Sequence, residues 1–256
     1  MTRRYYNYRN INFRQTVFTV LFILLAVLII VYIIRRVNYT AEPAFAVTDD
    51  HMTVIVDPGH GGEDGGAEGY DNKTIEKDIN LAVSLKLEQM LKVGGFEVIM
   101  TREDDRLIND EGLSTLRERK VSDIRNRMKL IEAHPEAIFL SVHQNKFTES
   151  SSHGAQIFFG KNNPESEVLA QAMQDSFHEL LQPDNSRQIK KSGKEIYLLY
   201  HSEIPSIMVE CGFLSNPDEC NKLTDDEYQN QVAFTIYAGL MKYIDQGQKE
   251  LETTKT

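Results

Sequence analysis

The chain has 256 residues, of which 41% are hydrophobic and 26% are charged, and its formal net charge is −10. This length is sufficient for one sizeable domain and an appendage. Residues 1–46 hold six arginines and one glutamate, a net charge of +5, which leaves −15 for residues 47–256. So acidic a domain lacks the excess of cations that phosphate binding needs, which argues against nucleic acid as a partner.

The first element is an apolar segment, VFTVLFILLAVLIIVYII at residues 17–34, which has no charge and one clearly polar residue, Thr19. At about 1.5 Å per residue a helix of this length just crosses a hydrocarbon core of roughly 30 Å. Arginines flank it, four before and two after: Arg3, Arg4, Arg9, Arg14, Arg35 and Arg36. This bias predicts a single-pass membrane anchor with a cytoplasmic N-terminus and an extracytoplasmic domain.

The alternative is a cleaved signal peptide, because Ala-Phe-Ala at residues 44–46 fits an A-x-A cleavage site and would leave a secreted protein. The apolar run is longer than a usual signal-peptide core of about 7–15 residues, which favours the anchor. Both interpretations export the rest of the chain. We therefore predict an N-terminus and anchor (or signal peptide) over 1–36 and a polar linker over 37–50.

Beyond the linker, apolar runs of strand length alternate with patterns of helical period. Strands are predicted at 53–57, 96–100, 137–142, 155–159 and 206–210, with a less regular run at 195–199. Helices are predicted at 75–92, 117–134, 165–181 and 226–244. This alternation predicts a single α/β domain over 51–246, with a largely parallel twisted sheet flanked by helices. A flexible tail is expected over 247–256.

The chain has two cysteines, Cys211 and Cys220. Export permits a disulfide, but two cysteines nine residues apart do not form a disulfide framework. We expect two unpaired or buried thiols, and the sequence leaves a bond between them open.

Four polar residues stand just past a predicted strand or at a helix start: His60, Glu76, His143 and Glu210. In parallel α/β sheets, sites form at the carboxyl ends of the strands. Two imidazoles and a carboxylate, with a fourth position open, are a common ligand set of catalytic zinc. Each residue taken alone also has an ordinary explanation, such as a carboxylate that complements the dipole of a helix N-terminus.

The residues around these four positions are more specific than the positions themselves. DPGHGGEDGGA surrounds His60, EKD begins at Glu76, SVHQN surrounds His143, and VECGFLSN surrounds Glu210. In this order the motifs resemble the zinc-dependent N-acetylmuramoyl-L-alanine amidases of the Amidase_3 type, which are cell-wall hydrolases. The resemblance extends from about Thr53 to Ile244.

Within this family the chain is most similar to the CwlD-type amidases of endospore-formers, which are membrane-anchored and modify spore-cortex peptidoglycan. The anchor, MTRE at 100–103 and SDIRNRMKLI at 122–131 carry that likeness. The chain departs from the family pattern at Gln144, where relatives often have an aliphatic residue. The stretch 107–122 is also longer than the family pattern, and the sequence assigns it no role.

The resemblance implies that His60, Glu76 and His143 hold Zn²⁺ and that Glu210 is the general base. It implies hydrolysis, by a zinc-activated water, of the amide between the lactyl group of N-acetylmuramic acid and L-alanine of the peptidoglycan stem peptide. Asn145 is expected to contact the substrate. An accessory protein is possible for this type, but no motif identifies one.

The resemblance also explains the glycine loop at residues 56–69, which would present His60 to the metal and leave room for a polymer. Asp57 and Asp64 are both candidates to orient an imidazole. Arg125 and Arg127 are candidates to pair with a stem-peptide carboxylate, although a solvated helix face is the simpler explanation for both.

Two other functions remain as alternatives at this stage. A zinc peptidase that cuts within the stem peptide could use the same residues, since the metal and base would serve either bond. A non-catalytic, membrane-tethered wall-binding module is the second alternative. Products of hydrolysis separate the first from the amidase, and zinc stoichiometry separates the second.

Overall fold

The computed structural model describes residues 16–27, 29 and 52–254. Residues 16–27 are helical. Within these described residues, no helix has the combined length and apolar character needed to cross a membrane. The predicted span 17–34 lies partly, and the linker 37–50 wholly, outside the described residues, so the anchor and the alternative cleavage site stay predictions.

Residues 52–254 contain one six-stranded sheet, in the order β2-β1-β3-β6-β4-β5. The strands are β1 (Thr53–Pro58), β2 (Glu97–Met100), β3 (Ile138–Asn145), β4 (Gln156–Phe159), β5 (Lys190–Lys191) and β6 (Ser206–Phe213). β4 runs antiparallel to β6, and the other neighbouring pairs are parallel. The prediction of an α/β domain with a largely parallel sheet is therefore confirmed, with β4 as the exception.

Within residues 52–254, six helices accompany the sheet. They are α1 (Glu76–Val93), α2 (Leu116–Glu132), α3 (Glu165–Leu180), α4 (Tyr197–His201), α5 (Pro217–Leu223) and α6 (Asp226–Thr254). The four long helices match the four predicted helices to within a few residues, apart from the longer C-terminal end of α6.

The sheet is covered on both faces, because alternate side chains of its strands enter two separate hydrophobic clusters. Val54 and Val56 of β1 join a cluster that includes the apolar sides of α1, α3 and α6. Ile55, between them, packs in a second cluster with side chains of α2 and α4. This arrangement leaves the carboxyl ends of the central strands uncovered by the helix layers, and the four motifs lie there.

The prediction of a strand at 195–199 is wrong. Residues Tyr197–His201 form the short helix α4, and the edge strand β5 lies earlier in the chain, at Lys190–Lys191. Consecutive Leu198 and Leu199 are both buried in the same cluster. A strand would direct these two side chains to opposite faces, whereas a helix lets both face the core.

The sequence analysis missed α5 although its start carries a recognisable signal. The Asn216 side chain accepts hydrogen bonds from the backbone N–H groups of Asp218 (2.9 Å) and Glu219 (3.2 Å), and Pro217 occupies the first turn. An Asn cap followed by proline is a typical helix start.

The structure differs from the sequence prediction in the C-terminal tail, and it also shows the state of the two cysteines. α6 continues to Thr254, through most of the tail expected to be flexible, and a Lys249–Asp245 ion pair of 2.6 Å joins successive turns there. Cys211 and Cys220 are both buried and both free thiols.

Candidate metal centre

Three neighbouring strands bring the predicted site residues to one edge of the sheet. His60 lies two residues beyond β1, while His143 and Glu210 lie in the last halves of β3 and β6. The backbones of His143 and Glu210 are direct neighbours in the β3–β6 ladder, and an irregularity follows between His143 and Asn145. Bulges next to a site re-aim side chains. Glu76 is the first residue of α1.

The backbone of the glycine loop is strained at the histidine itself. His60 has φ of 63°, in the left-handed region that residues with a side chain seldom adopt. Two hydrogen bonds hold this loop at its main chain: Gly61 N–H donates to Asp64 O, and Asp64 N–H donates to Gly61 O, both at 2.9 Å. Such strain persists only where the surroundings fix it, and it is concentrated at functional sites.

Glu76 is fixed by hydrogen bonds to both of its carboxylate oxygens. Oε2 accepts from Ala67 N–H at 2.8 Å, and Oε1 accepts from Gln144 N–H at 3.1 Å and Asn80 Nδ2 at 3.3 Å. The side chain is 3% exposed. Burial alone would raise the pKa of Glu76, but hydrogen bonds and charge from His143 and His60 outweigh it and hold the pKa far below its usual value. Glu76 is therefore an ionised carboxylate.

His60, Glu76 and His143 form the one group of potential metal ligands found among the described residues, with ligand atoms all within 4.8 Å of one another. His60 Nε2 lies 3.3 Å from Glu76 Oε2, and His143 Nδ1 lies 2.9 Å from Glu76 Oε1. The imidazole rings meet edge to face with centroids 4.9 Å apart. Two imidazoles and one ionised carboxylate at this separation fit a divalent metal with a preference for nitrogen and oxygen ligands.

His60 is oriented by Asp64. Its Nδ1 lies 2.9 Å from Asp64 Oδ2, which leaves Nε2 facing Glu76. Burial lowers the pKa of His60, but hydrogen bonds and charge from Asp64 and Glu76 raise it overall to about 9. Of the two aspartates proposed from the sequence to orient an imidazole, Asp64 makes that contact. Asp57 instead accepts hydrogen bonds from Ser141 Oγ (2.6 Å) and Thr101 Oγ1 (2.7 Å).

Two glycines make room for this cluster. A Cβ at Gly59 would lie 2.1 Å from His143 Nε2, and a Cβ at Gly66 would lie 2.5 Å from Glu76 Oε2 and 2.6 Å from His60 Cδ2. Gly66 also has φ of 70°. Because Glu76 is held at both oxygens, it cannot move aside without breaking its hydrogen bonds.

We therefore expect Gly66→Ala to destabilise the protein more than Gly112→Ala does. Gly112 has a similar φ of 79° but open space around its Cβ position. Both substitutions carry the left-handed backbone cost of about 1–2 kcal/mol, and Gly66→Ala adds roughly 1–3 kcal/mol of overpacking. Chemical denaturation of both variants measures the difference. Equal losses in the free energy of unfolding would mean that His60 and Glu76 move aside for the added methyl group at no cost.

Glu210 lies beside the cluster of His60, Glu76 and His143. It forms neither an ion pair nor a hydrogen bond with the side chains of these three residues. Within the described chain its buried Oε2 has no hydrogen-bond partner. Burial raises the pKa of Glu210 to about 7, with the charge of His143 opposing and that of Glu76 adding to the rise. A buried oxygen without a partner is costly unless a ligand or solvent molecule satisfies it. The residue is suited to hold or release a proton near neutral pH.

Two buried arginines hold the glycine loop at residues 56–69 in place through hydrogen bonds to its carbonyl groups. The sequence analysis identified neither role. Arg127 donates to Asp57 Oδ1 (2.5 Å), to Asp123 Oδ2 (2.8 Å), and to the carbonyls of Pro58 (2.9 Å) and His60 (2.8 Å). Arg102 donates to the carbonyls of Pro58 and Gly59, each at 3.0 Å.

The structure thus overturns both suggestions made for Arg127. Its side chain is 2% exposed, so it is neither on a solvated helix face nor free to bind a substrate carboxylate. Arg125, on the same helix, is exposed. The signal that could have identified Arg127 is Asp123, one helical turn earlier, because a charge pair at i and i+4 can be buried together.

The stretch 107–122, which the sequence left without a role, folds back on α2 and reaches the glycine loop. Ile108 N–H donates to Asp123 Oδ1 at 2.7 Å, and Thr115 and Glu118 form a capping box. Lys120 Nζ lies 2.7 Å from Asp64 Oδ1. The first turns of α2 therefore form one side of the site.

Asn145, the predicted substrate contact, ends β3 and is half-buried. Its carbonyl accepts a hydrogen bond of 2.8 Å from Leu214 N–H. Within the described chain its side-chain amide makes no hydrogen bond, so that amide is available to a ligand, and its role stays a prediction.

Similarity to known proteins covers most of the region that contains this site. The family model described as N-acetylmuramoyl-L-alanine amidase, Amidase_3, matches residues 54–242. The germination-specific N-acetylmuramoyl-L-alanine amidase of Bacillus subtilis is 38% identical over 190 residues, which cover 74% of this chain and 78% of that protein.

Solved structures of similar fold carry the same activity in their names. The CwlD amidase of Clostridioides difficile, solved in complex with the GerS lipoprotein, has 41% identity and a TM-score of 0.73 over 76% of this chain and 98% of that one. The catalytic domain of the amidase CwlV from Paenibacillus polymyxa has 30% identity and a TM-score of 0.60 over 76% and 98% of the two chains.

Proposed function

Because this chain belongs to the Amidase_3 family of N-acetylmuramoyl-L-alanine amidases, we propose that His60, Glu76 and His143 bind Zn²⁺ and that Glu210 is its general base. The bond cleaved is the amide between the lactyl group of N-acetylmuramic acid and L-alanine of the stem peptide. The observation that carries the proposal is the convergence of the three ligand residues within 4.8 Å, beside a carboxylate with a buried, unpartnered oxygen.

When bound, zinc would supply a Lewis acid that acidifies water and polarises the amide carbonyl. Glu210 accepts a proton from the attacking water and donates it to the nitrogen of L-alanine as the carbon–nitrogen bond breaks. A pKa of Glu210 near 7 suits both steps, since the group must gain and lose a proton in one turnover. Asp64 keeps the ring of His60 in place through its contact with Nδ1.

The chain's setting is proposed from the sequence and from the named relatives. Residues 1–36 would anchor it in the cell membrane as a single-pass segment, and residues 37–50 would link the anchor to an extracytoplasmic catalytic domain over 51–246. Activity on spore cortex is supported by the germination-specific relative of Bacillus subtilis. The complex of the Clostridioides difficile relative with a lipoprotein supports an accessory protein here too.

The proposed function is tested by the products of the zinc-loaded full-length protein on peptidoglycan, identified by mass spectrometry with a chelated control. We expect stem peptides with a free amine on L-alanine, and none after chelation. Fragments cut within the stem peptide would instead indicate a zinc peptidase. A protein that binds no zinc and releases no product would indicate a wall-binding module.

Asp64→Asn provides a separate test of the metal site. The amide keeps the shape of Asp64 but not its charge, and removing a carboxylate that orients a metal-binding histidine typically costs about 10–100-fold in metal affinity. We expect a loss of that size in zinc titration against a competing chelator. Asp105→Asn is the control, because Asp105 bonds to Lys77 (2.6 Å) and Gly62 N–H (2.7 Å) without touching either imidazole. Equal zinc affinities in the two variants would contradict the role of Asp64.

A further inference from the structure

A cleft of about 570 Å³ opens from the metal centre between two walls of different chemistry. His60, His143 and Asp64 line its inner end. A cleft of this size holds a ligand of small-peptide dimensions. The side chains of the two walls therefore affect how a substrate lies across the metal centre.

The first wall is one face of α2. It consists of Leu116, Arg117, Lys120, Val121 and Ile124, a spacing that places them together on a helix. Leu116 and Val121 are 40% and 41% exposed, so the wall offers apolar contact as well as cations. Lys120 is paired with Asp64.

Arg117 is the arginine of α2 that both lines the cleft and lacks a partner, since Arg125, also unpaired in the described part of the chain, lies outside the cleft. Among the described residues Arg117 has neither an ion pair nor a hydrogen bond, whereas Arg119 pairs with Glu63 and Arg127 with Asp57. Unlike Arg125, the unpaired Arg117 guanidinium lies where a ligand in the cleft can reach it. Its planar fork matches a carboxylate, and a charge-assisted pair of this kind is among the stronger polar contacts.

The opposite wall has no cation among its described residues. Glu195, Tyr197 and Leu198 form it, and Tyr197 is 39% exposed. The Glu195 carboxylate would repel a second carboxylate, while the tyrosine ring and hydroxyl suit a neutral partner with hydroxyl groups. An anionic part of a ligand is therefore directed to the α2 wall.

The substrate has the same asymmetry as the cleft. On one side of the scissile amide lies the muramoyl sugar, whose lactyl acid is neutralised in the bond itself. On the other side lies the stem peptide, whose acidic residues and C-terminus carry free carboxylates. We propose that the stem peptide lies along α2 with one of its carboxylates paired to Arg117, and that the sugar lies toward Tyr197. This inference rests on the proposed function and adds the orientation of its substrate.

The test compares two synthetic muramoyl tripeptides, one with its carboxylates free and one with all of them converted to carboxamides. With the zinc-loaded full-length protein we expect KM to be about three- to tenfold lower for the acid form, the range for a charge-assisted pair at a partly exposed position. Arg117→Gln should remove this preference by raising KM for the acid form, and Arg117→Glu should invert the preference.

Arg125→Gln is the matched control, because Arg125 is exposed on the same helix and does not line the cleft. It should keep the preference of the unmodified protein. Calorimetry in a Glu210→Gln background should give the same order of affinities without turnover. Hydrolysis of both peptides with equal KM, or a preference that survives Arg117→Gln, overturns the subsite and leaves the amidase intact. Failure to hydrolyse either peptide overturns both.

Discussion

Replacing Glu210 by glutamine is expected to lower kcat by about 10²–10⁴-fold, the usual contribution of a positioned general acid–base. Glutamine preserves the shape of the side chain but can neither take the proton from water nor return it to the leaving amine. Zinc binding should persist, because Glu210 is not one of the three residues whose ligand atoms cluster. The measurements are steady-state kinetics on a muramoyl peptide and zinc stoichiometry of the same preparation.

The matched control is Glu203→Gln, on an exposed acid of the loop that precedes β6 and outside the cleft. It should leave kcat and zinc content unchanged. A Glu210→Gln variant with near-normal kcat would show that another group serves as the base. A variant that had lost its zinc would instead place Glu210 among the ligands, contrary to the geometry.

The second large effect is expected on stability rather than on turnover. Arg127→Met should lower the free energy of unfolding by about 3–5 kcal/mol, the cost of removing one partner from a buried ion pair. The substitution leaves the Asp57 carboxylate, 1% exposed, without its cation. It also removes the Arg127 donor from the His60 carbonyl, and one of two arginine donors from the Pro58 carbonyl. Chemical denaturation measures the loss. Arg125→Met, at an exposed position of the same helix, should change stability by no more than about 0.5 kcal/mol.

The pH dependence of stability tests the same pair with a defined sign. Burial would raise the pKa of Asp57, but the Arg127 guanidinium and hydrogen bonds from Ser141 and Thr101 lower it below its ordinary value. The contribution of Asp57 to stability is therefore fully present above its unfolded pKa of about 4. It is lost as the pH falls through the lower folded pKa.

In Arg127→Met this acid-dependent loss should be much smaller, because the lowering of the pKa of Asp57 depends on the guanidinium. The double variant Asp57→Asn/Arg127→Met should regain part of the lost free energy of unfolding, since Asp57 is then no longer a buried charge without a partner. The recovery is partial because Asp123 still lacks its cation. If Asp57→Asn lowered the stability of Arg127→Met by as much as it lowers that of the unmodified protein, the two residues would not be acting as a pair.

The secondary structure was well predicted where hydrophobic periodicity extends over many residues. In α1, α3 and the central strands, the spacing of apolar residues fits either a helix or a strand, but not both. The run at 195–199 failed for the opposite reason: five residues are too few to separate a buried strand from a helical turn. Only the packing of Leu198 and Leu199 into one cluster decides between them.

The sequence by itself determined the family, the four motifs and the residues expected at the metal centre, because motif identity is local and survives without coordinates. Tertiary structure decided which groups meet. It assigned Asp64 rather than Asp57 to His60, buried Arg127 beneath the loop, and left Arg117 facing the cleft. The physical reason is that burial and ion pairing depend on residues far apart in the chain, such as Asp57 and Arg127, which no local pattern relates.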